Sequence, residues 1–205
     1  MMYNLSDVET MEKRFRANFI NSLGGFKSCV LIGTKSLVGN ENLAIFSSLF
    51  HLGANPALCG IIIRPSQEKE NTLGNMVRTK SFTINHILPS FYEKGHQSSA
   101  KYMEGESEFE KVKLTPEYHE EITAPFVKES IIKFGCELQQ KIDIEINGTY
   151  LMIGKITKII VPDYLIAEDG YIDLERAETI TCSGLDSYHQ TTRLARLKYA
   201  KPENN

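Results

Sequence analysis

The spacing of hydrophobic positions changes period once along this chain, near residue 25. Before that point Val8, Met11, Phe15 and Phe19 recur at intervals of three and four, which is one face of a helix. Ser6 with Glu9 three positions on matches a capping box and predicts a helix from about Asp7, those four side chains forming its buried stripe. Gly24-Gly25 ends it. Beyond it the apolar runs shorten and fill with β-branched and aromatic residues, predicting strands at 26–34, 42–49, 57–64 and 81–87. Gly39-Asn40 supplies a turn. Between the third and fourth strands, a polar loop at 65–71 precedes a short helix over 72–80. Asn71 is its N-cap, Leu73, Met76 and Val77 share a face, and Lys80 lies near its negative end.

Residues 91–124 are polar, carry both charge signs and contain Pro116, and read as a helical and irregular excursion on the surface. The last third is again β. Ile142, Ile144 and Ile146 alternate with polar neighbours, Asn147-Gly148 follows, and 150–161 resumes the strand. Asn-Gly between two such runs marks a hairpin, because both turn positions require positive φ. Asp169-Gly170 predicts a second hairpin between 164–166 and 171–174. Strands joined mostly by hairpins imply a mainly β fold, a closed antiparallel barrel with peripheral helices. A doubly wound parallel sheet would need a helical pattern after each strand, and the chain lacks it. The expected organisation is one domain over 1–205, with an N-terminal helix in 1–25, the excursion at 91–124 and a C-terminal segment at 183–205.

Composition narrows the function. The chain has 205 residues, 41% hydrophobic and 24% charged, which excludes intrinsic disorder. Its net charge of -3 lacks the basic excess of a phosphate-backbone binder, so nucleic acid is not an expected partner. No apolar run approaches the roughly 20 residues that span a bilayer, and Asp7, Glu9, Glu12, Lys13 and Arg14 interrupt any signal-peptide core. The expectation is a cytoplasmic protein without a membrane. Cys29, Cys59, Cys136 and Cys182 are widely scattered and fit reduced core residues better than a disulfide framework.

Nucleotide-binding glycine fingerprints, phosphate loops and the nucleophile elbow are absent, and the five histidines are too dispersed for a metal site. His119 with Glu120 and Glu121 reads as a solvated charged face. What remains suits a phosphate and a flat ring. Residues 42–48, Asn42, Leu43, Ala44, Ile45, Phe46, Ser47 and Ser48, put small and hydroxyl side chains on a strand after a turn. Small side chains let a planar ligand approach the backbone, and hydroxyls can serve a polyol or phosphate. Arg64 ends the next strand, and Asn71-Thr72 begins a helix whose first amides favour an anion. From these residues alone, Arg64 serves such an anion or pairs with Glu68 or Glu70.

Segments 42–65 (NLAIFSSLFHLGANPALCGIIIRP), 71–87 (NTLGNMVRTKSFTINHI) and 124–138 (APFVKESIIKFGCEL) carry a resemblance, continued by 150–162 and 183–202. In that order, from about residue 14 onward, they resemble the flavin reductase-like, FMN-binding split-barrel family, which includes flavoredoxins and reductase partners of two-component monooxygenases. The resemblance implies a six-stranded antiparallel Greek-key split barrel that binds FMN, in preference to FAD, at a homodimer interface. It implies that Asn42, Ala44 and Ile45 line the flavin ring through backbone groups, with Leu43 and Phe46 also cofactor-binding, and that Ser47 and Ser48 meet the ribityl-phosphate arm. Arg64 and Thr72 match phosphate-reaching positions; Asn85, Tyr188 and His189 are looser candidates for the ring edge or nicotinamide pocket. For Asn85 and Tyr188 the competing reading is structural: satisfying a barrel-end backbone group, or packing on a helix. With no Trp in the chain, ring stacking would fall to Phe46, Phe50 or Tyr188. The implied activity is NAD(P)H-dependent reduction of flavin or another small or protein acceptor, with NADH or NADPH as donor. No side-chain acid or base is required, since the cofactor carries the chemistry. The alternative is a flavin-binding electron carrier without turnover of its own.

Overall fold

The computed structural model describes residues 1–65, 71–103 and 105–202. Of the loop expected over 65–71, residues 66–70 lie outside the described residues, and with them Glu68 and Glu70. The N-terminal pattern forms two helices, α1 (Leu5–Thr10) and α2 (Lys13–Leu23). The capping box sits two residues earlier than predicted: the Asn4 side chain accepts the Asp7 amide while the Asp7 carboxylate accepts the Asn4 amide. The Glu12 carboxylate then accepts the Arg14 and Phe15 amides and starts the second helix. Neither helix buries a residue, and Phe15 is 55% exposed. The expected stripe is therefore not buried; Phe15 stacks on Phe19, and Tyr3 meets Phe19 edge-on.

The strand expected over 26–34 is divided at Cys29 into β1 (Lys27–Ser28) and β2 (Val30–Lys35). The strand expected over 42–49 is divided at Ser47-Ser48 into β3 (Glu41–Phe46) and β4 (Leu49–Ala54). Then follow β5 (Ala57–Ile63), α3 (Thr72–Thr79) and β6 (Ser81–His86), close to expectation. Residues 91–124 are more than a surface excursion. They hold α4 (Tyr92–Gln97), α5 (Glu108–Val112), β7 (Pro116–His119) and the start of β8 (Ile122–Val127). Phe91, Phe109, Val112 and Leu114 are buried there, because two short helices bring their few apolar residues to one side. β9 (Lys133–Ile144) and β10 (Thr149–Ile160) form the expected hairpin, but through a four-residue turn over 145–148 that takes Ile146 out of the strand and has positive φ at Gly148 and not at Asn147. β11 (Thr181–Ser183) with β12 (Ser187–His189) ends the regular structure among the described residues. The second predicted hairpin shrinks to one bridge, Ile166 with Ile172, because residues 163–165 turn into a 3-10 helix. Among the described residues no helix is long and apolar enough to cross a membrane.

The main sheet is antiparallel and seven-stranded, in the order β3-β2-β6-β9-β10-β5-β4. This corrects the expected closed, six-stranded barrel. The order ends on two edges, β3 and β4, so the sheet does not close, and the break at Ser47-Ser48 supplies the seventh strand. Those edges are nonetheless held together. Phe46 ends one and Leu49 begins the other, three peptide steps apart, a reach of roughly 10 Å. Laid flat, seven strands would separate their edges by roughly 29 Å. The sheet must curl until its edges almost meet.

The curl makes two large cores, with smaller clusters around Phe126 and Leu165. Alternate residues face inward, including Val30 and Ile32 of β2, Ile61 of β5, Phe82 and Ile84 of β6 and Met152 of β10. The outer face of β2 and β3, with Leu31 and Leu43, packs against Phe91, Phe109 and Val112 from the 91–114 region. β8 lies over β2 and β6, where Thr83 Oγ1 donates to the Pro125 carbonyl at 2.6 Å. Curling brings Phe82 of β6 across β9 onto Gly154 of β10: a Cβ there would stand 2.4 Å from the ring. The β9–β10 register shifts at the same place, as a bulge that sharpens the bend would require. Gly154→Ala is expected to cost about 1–3 kcal/mol through overpacking. Urea denaturation of the variant and parent checks it, and equal midpoints would mean that the ring does not depend on this gap.

Candidate functional site

Where β3 gives way to β4, the seam between the sheet edges opens into a cavity of about 1000 Å³. That is at the upper end for small-molecule sites. Ile45, Phe46, Ser47 and Ser48 form one wall, Arg64 follows the end of β5, and Thr72 opens α3. Cys182 and Tyr188 come from the β11–β12 hairpin. Seven predicted site residues thus meet in one place, although they come from four regions of the chain.

Three cations, Lys27, Arg64 and Lys101, line this cavity. Among the described residues no carboxylate does. The amides of Thr72 and Leu73 lie in the first turn of α3, where helix geometry provides no intrahelical acceptor and the dipole favours negative charge. The Asn71 side chain accepts the Gly74 amide at 2.8 Å and so fixes that turn. Thr72 is prepared as a donor. Its oxygen accepts from Asn42 Nδ2 at 3.0 Å, which leaves its own hydroxyl hydrogen to be given elsewhere. Ser48 differs, donating to the Ile62 carbonyl at 2.7 Å and keeping acceptor capacity only.

The other predicted residues do not line this cavity, although Asn42 touches it through Thr72. Asn42 and Ala44 line a smaller neighbouring cavity of about 330 Å³, which also holds Glu41, Glu106 and Glu108. Asn42 Nδ2 binds Thr34 Oγ1 as well as Thr72, so it ties β3 to β2 and α3. Leu43 is fully buried, and its amide donates to Glu108 at 3.0 Å. Asn85 is buried and acts as a clamp. Its Nδ2 donates to the Leu31 carbonyl and to Thr83 Oγ1, and its Oδ1 accepts the Val127 amide at 2.9 Å. His189 Nε2 lies 2.9 Å from Ser183 Oγ and 3.1 Å from Ser187 Oγ, with Phe26 edge-on at 4.9 Å, outside the cavity lining.

Tyr188 does pack on a helix and also reaches the cavity. Its hydroxyl lies 2.6 Å from His96 Nδ1 of α4, and its ring tilts against Tyr92. Burial, with the nearby Cys29 and Cys182, pushes its phenol up, so it stays neutral. Lys27, His96, Lys101 and Cys182 were not singled out for the cavity from sequence. Lys27 and Cys182 are register partners across β1 and β11, a pairing of residues far apart in the chain that no local pattern announces. Behind the seam, Phe26, Leu49, Phe50, Phe134 and Leu174 line a third, mostly apolar cavity of about 510 Å³. His86 borders it, held down to about 4 by burial.

The architecture defines a class: an antiparallel sheet curled into a split barrel, with a cation-lined cavity at the split. The flavin reductase like domain model matches residues 23–174, and the chain belongs to that family. It is similar to a flavin reductase-type split-barrel protein of Shewanella frigidimarina NCIMB 400. The two are 48% identical, with a TM-score of 0.94, over 98% of this chain and 100% of that one. Component B of nitrilotriacetate monooxygenase from Bacillus cereus shares the fold at 23% identity and a TM-score of 0.84, over 96% of this chain and 98% of that one. Flavoredoxin of Desulfovibrio vulgaris (Miyazaki F) shares it at 17% and 0.77, over 98% of each. Membership sets the chain among flavin-related oxidoreductases.

Proposed function

We propose that the seam cavity holds FMN and that the protein passes electrons from NADH or NADPH through it to a flavin, small-molecule or protein acceptor. The observation that carries this reading is the cavity's charge: three cations and the start of α3 around a space without a described carboxylate. That donor set fits a phosphate monoester better than it fits an uncharged ligand. It favours FMN over riboflavin, and the volume accommodates a tricyclic ring with its side arm.

In this reading Arg64 and the first amides of α3 hold the phosphate, and Lys101 adds positive charge. Thr72 donates its hydroxyl hydrogen to the ribityl-phosphate arm, and Ser48 accepts from a ribityl hydroxyl. Ile45 and Phe46 present apolar surface and backbone groups to the ring, with Tyr188 closing the opposite wall. Bound flavin supplies the chemistry itself, taking up and giving back a hydride. The chain excludes water and leaves room for a second ring, since Ser47 and Ser48 are small. The His96–Tyr188 contact anchors the C-terminal wall to α4.

The protein acts as a homodimer in this account. α1 and α2 bury nothing within the chain and expose Phe15, Ile20 and Leu23, apolar area that a second copy would cover. Scattering mass in dilute solution is expected at twice 23.2 kDa, and a monomer with FMN bound would contradict a shared site. Anaerobic mixing of the FMN-loaded protein with NADH or NADPH is expected to bleach the flavin band within seconds. Cofactor deuterated at the transferred position should slow that bleaching. Bleaching by dithionite but by neither nucleotide would overturn the reductase reading and favour the electron carrier.

A further inference from the structure

We infer that Cys29 and Cys182 form a redox-active dithiol in the wall of the flavin cavity, able to close to a disulfide in exchange for two electrons given to the flavin. The inference rests on the proposed flavin site, but its geometry belongs to the chain alone. β1 and β11 are antiparallel neighbours with Lys27 opposite Cys182 and Ser28 opposite Thr181. Side chains alternate faces along a strand, so Cys29, two residues beyond Lys27, lies diagonal to Cys182 on the same face. Both line the large cavity, beside Ser47 and Tyr188.

Diagonal neighbours have Cα atoms roughly 7–8 Å apart in a regular pair, with Cβ atoms closer. A disulfide prefers roughly 5.5–6 Å, so a shift of one or two ångströms is needed. Cys29 is placed to supply it. It is the single residue between β1 and β2, where the chain leaves the three-stranded sheet for the seven-stranded one, and it belongs to neither strand.

The other two cysteines make the contrast. Cys59 Sγ and Cys136 Sγ are 3.9 Å apart, yet they sit on β5 and β9 with β10 between. Two strand spacings put their Cα atoms roughly 9–10 Å apart. That exceeds what a disulfide spans without moving the sheet. Thiol proximity alone therefore does not select the reactive pair; what separates the two is that Cys182 has no strand between it and Cys29, which follows directly on the strand beside it.

Electrostatics supports the assignment. The hydrogen bond from Cys29 and the charge of Lys27 bring Cys182 down to about 7 against the opposing effect of burial, while the Cys29 thiol is pushed up by the same hydrogen bond and by burial. Lys27, the register partner of Cys182, favours the thiolate on that sulfur, with Cys29 as its proton-bearing partner, the division of labour a dithiol uses. On oxidation the Cys182 thiolate sulfur bonds to the Cys29 sulfur, which gives up its one proton, and the released electron pair with that proton passes to the oxidised flavin. Excess reduced flavin drives the reverse.

The test counts thiols in the whole protein. FMN-loaded protein, incubated without oxygen or nicotinamide and then denatured in acid, is expected to fall from four titratable thiols to two. Peptide mapping should find Cys29 joined to Cys182, with Cys59 and Cys136 free. Cys182→Ser and Cys29→Ala should each abolish the bridge. A parallel arm treats flavin-free protein with diamide, which should close the same bridge. Four intact thiols in both arms with flavin bound, or a bridge between Cys59 and Cys136, would overturn the dithiol. Protein that retains no flavin overturns the site on which the exchange rests, and the diamide arm, which uses no flavin, distinguishes the two failures.

Discussion

Two residues determine much of this structure. Ser47 and Ser48 connect Phe46, at the end of one sheet edge, to Leu49, at the start of the other, so seven strands are forced to curl around a seam. Ser48 donates to Ile62 of β5, and Ser28 Oγ donates to the Leu49 carbonyl, which ties the bend to its neighbours. The curl drives Phe82 onto Gly154 and stacks β8 over Gly33, where a Cβ would stand 2.1 Å from the Pro125 carbonyl oxygen. Small residues at these crossings are consequences of the bend.

The same seam explains the cavity's position. Edge strands leave backbone groups without ladder partners, and a fold must cover them or use them. Here α3 covers one side, while the β11–β12 hairpin and α4 close another. The elements that meet there bring Arg64, Lys27 and Lys101 but no described carboxylate, whereas the adjacent smaller cavity takes Glu41, Glu106 and Glu108. The carboxylates thus keep to the smaller space, and Lys101 borders both.

Local chemistry made parts of this legible in advance. The Asn147-Gly148 hairpin and the α3 cap at Asn71 each follow from two or three adjacent residues, and both stand where the sequence puts them. The family resemblance, read from ordered segments, is met by the match over residues 23–174. The break at Ser47-Ser48 was invisible because its cause is a tertiary constraint: residues 42–49 are a continuous strand by propensity. The burial of Phe91 and Phe109 was hidden in a polar stretch, where a few large side chains outweigh many charged ones. Asn85 illustrates the limit for sites. A polar residue at a strand end has the same appearance whether it serves a ligand or, as here, three buried backbone and hydroxyl partners.

The central claim is that the seam is a phosphate-anchored flavin site, and paired titrations of FMN and riboflavin against the parent and Arg64→Ala test it most directly. Loss of a charge-assisted contact of about 1.5–3 kcal/mol predicts FMN affinity falling about ten- to a hundred-fold. Riboflavin, which lacks the phosphate, should bind both proteins equally. An equal fall for riboflavin, or no flavin binding by the parent, would contradict the account.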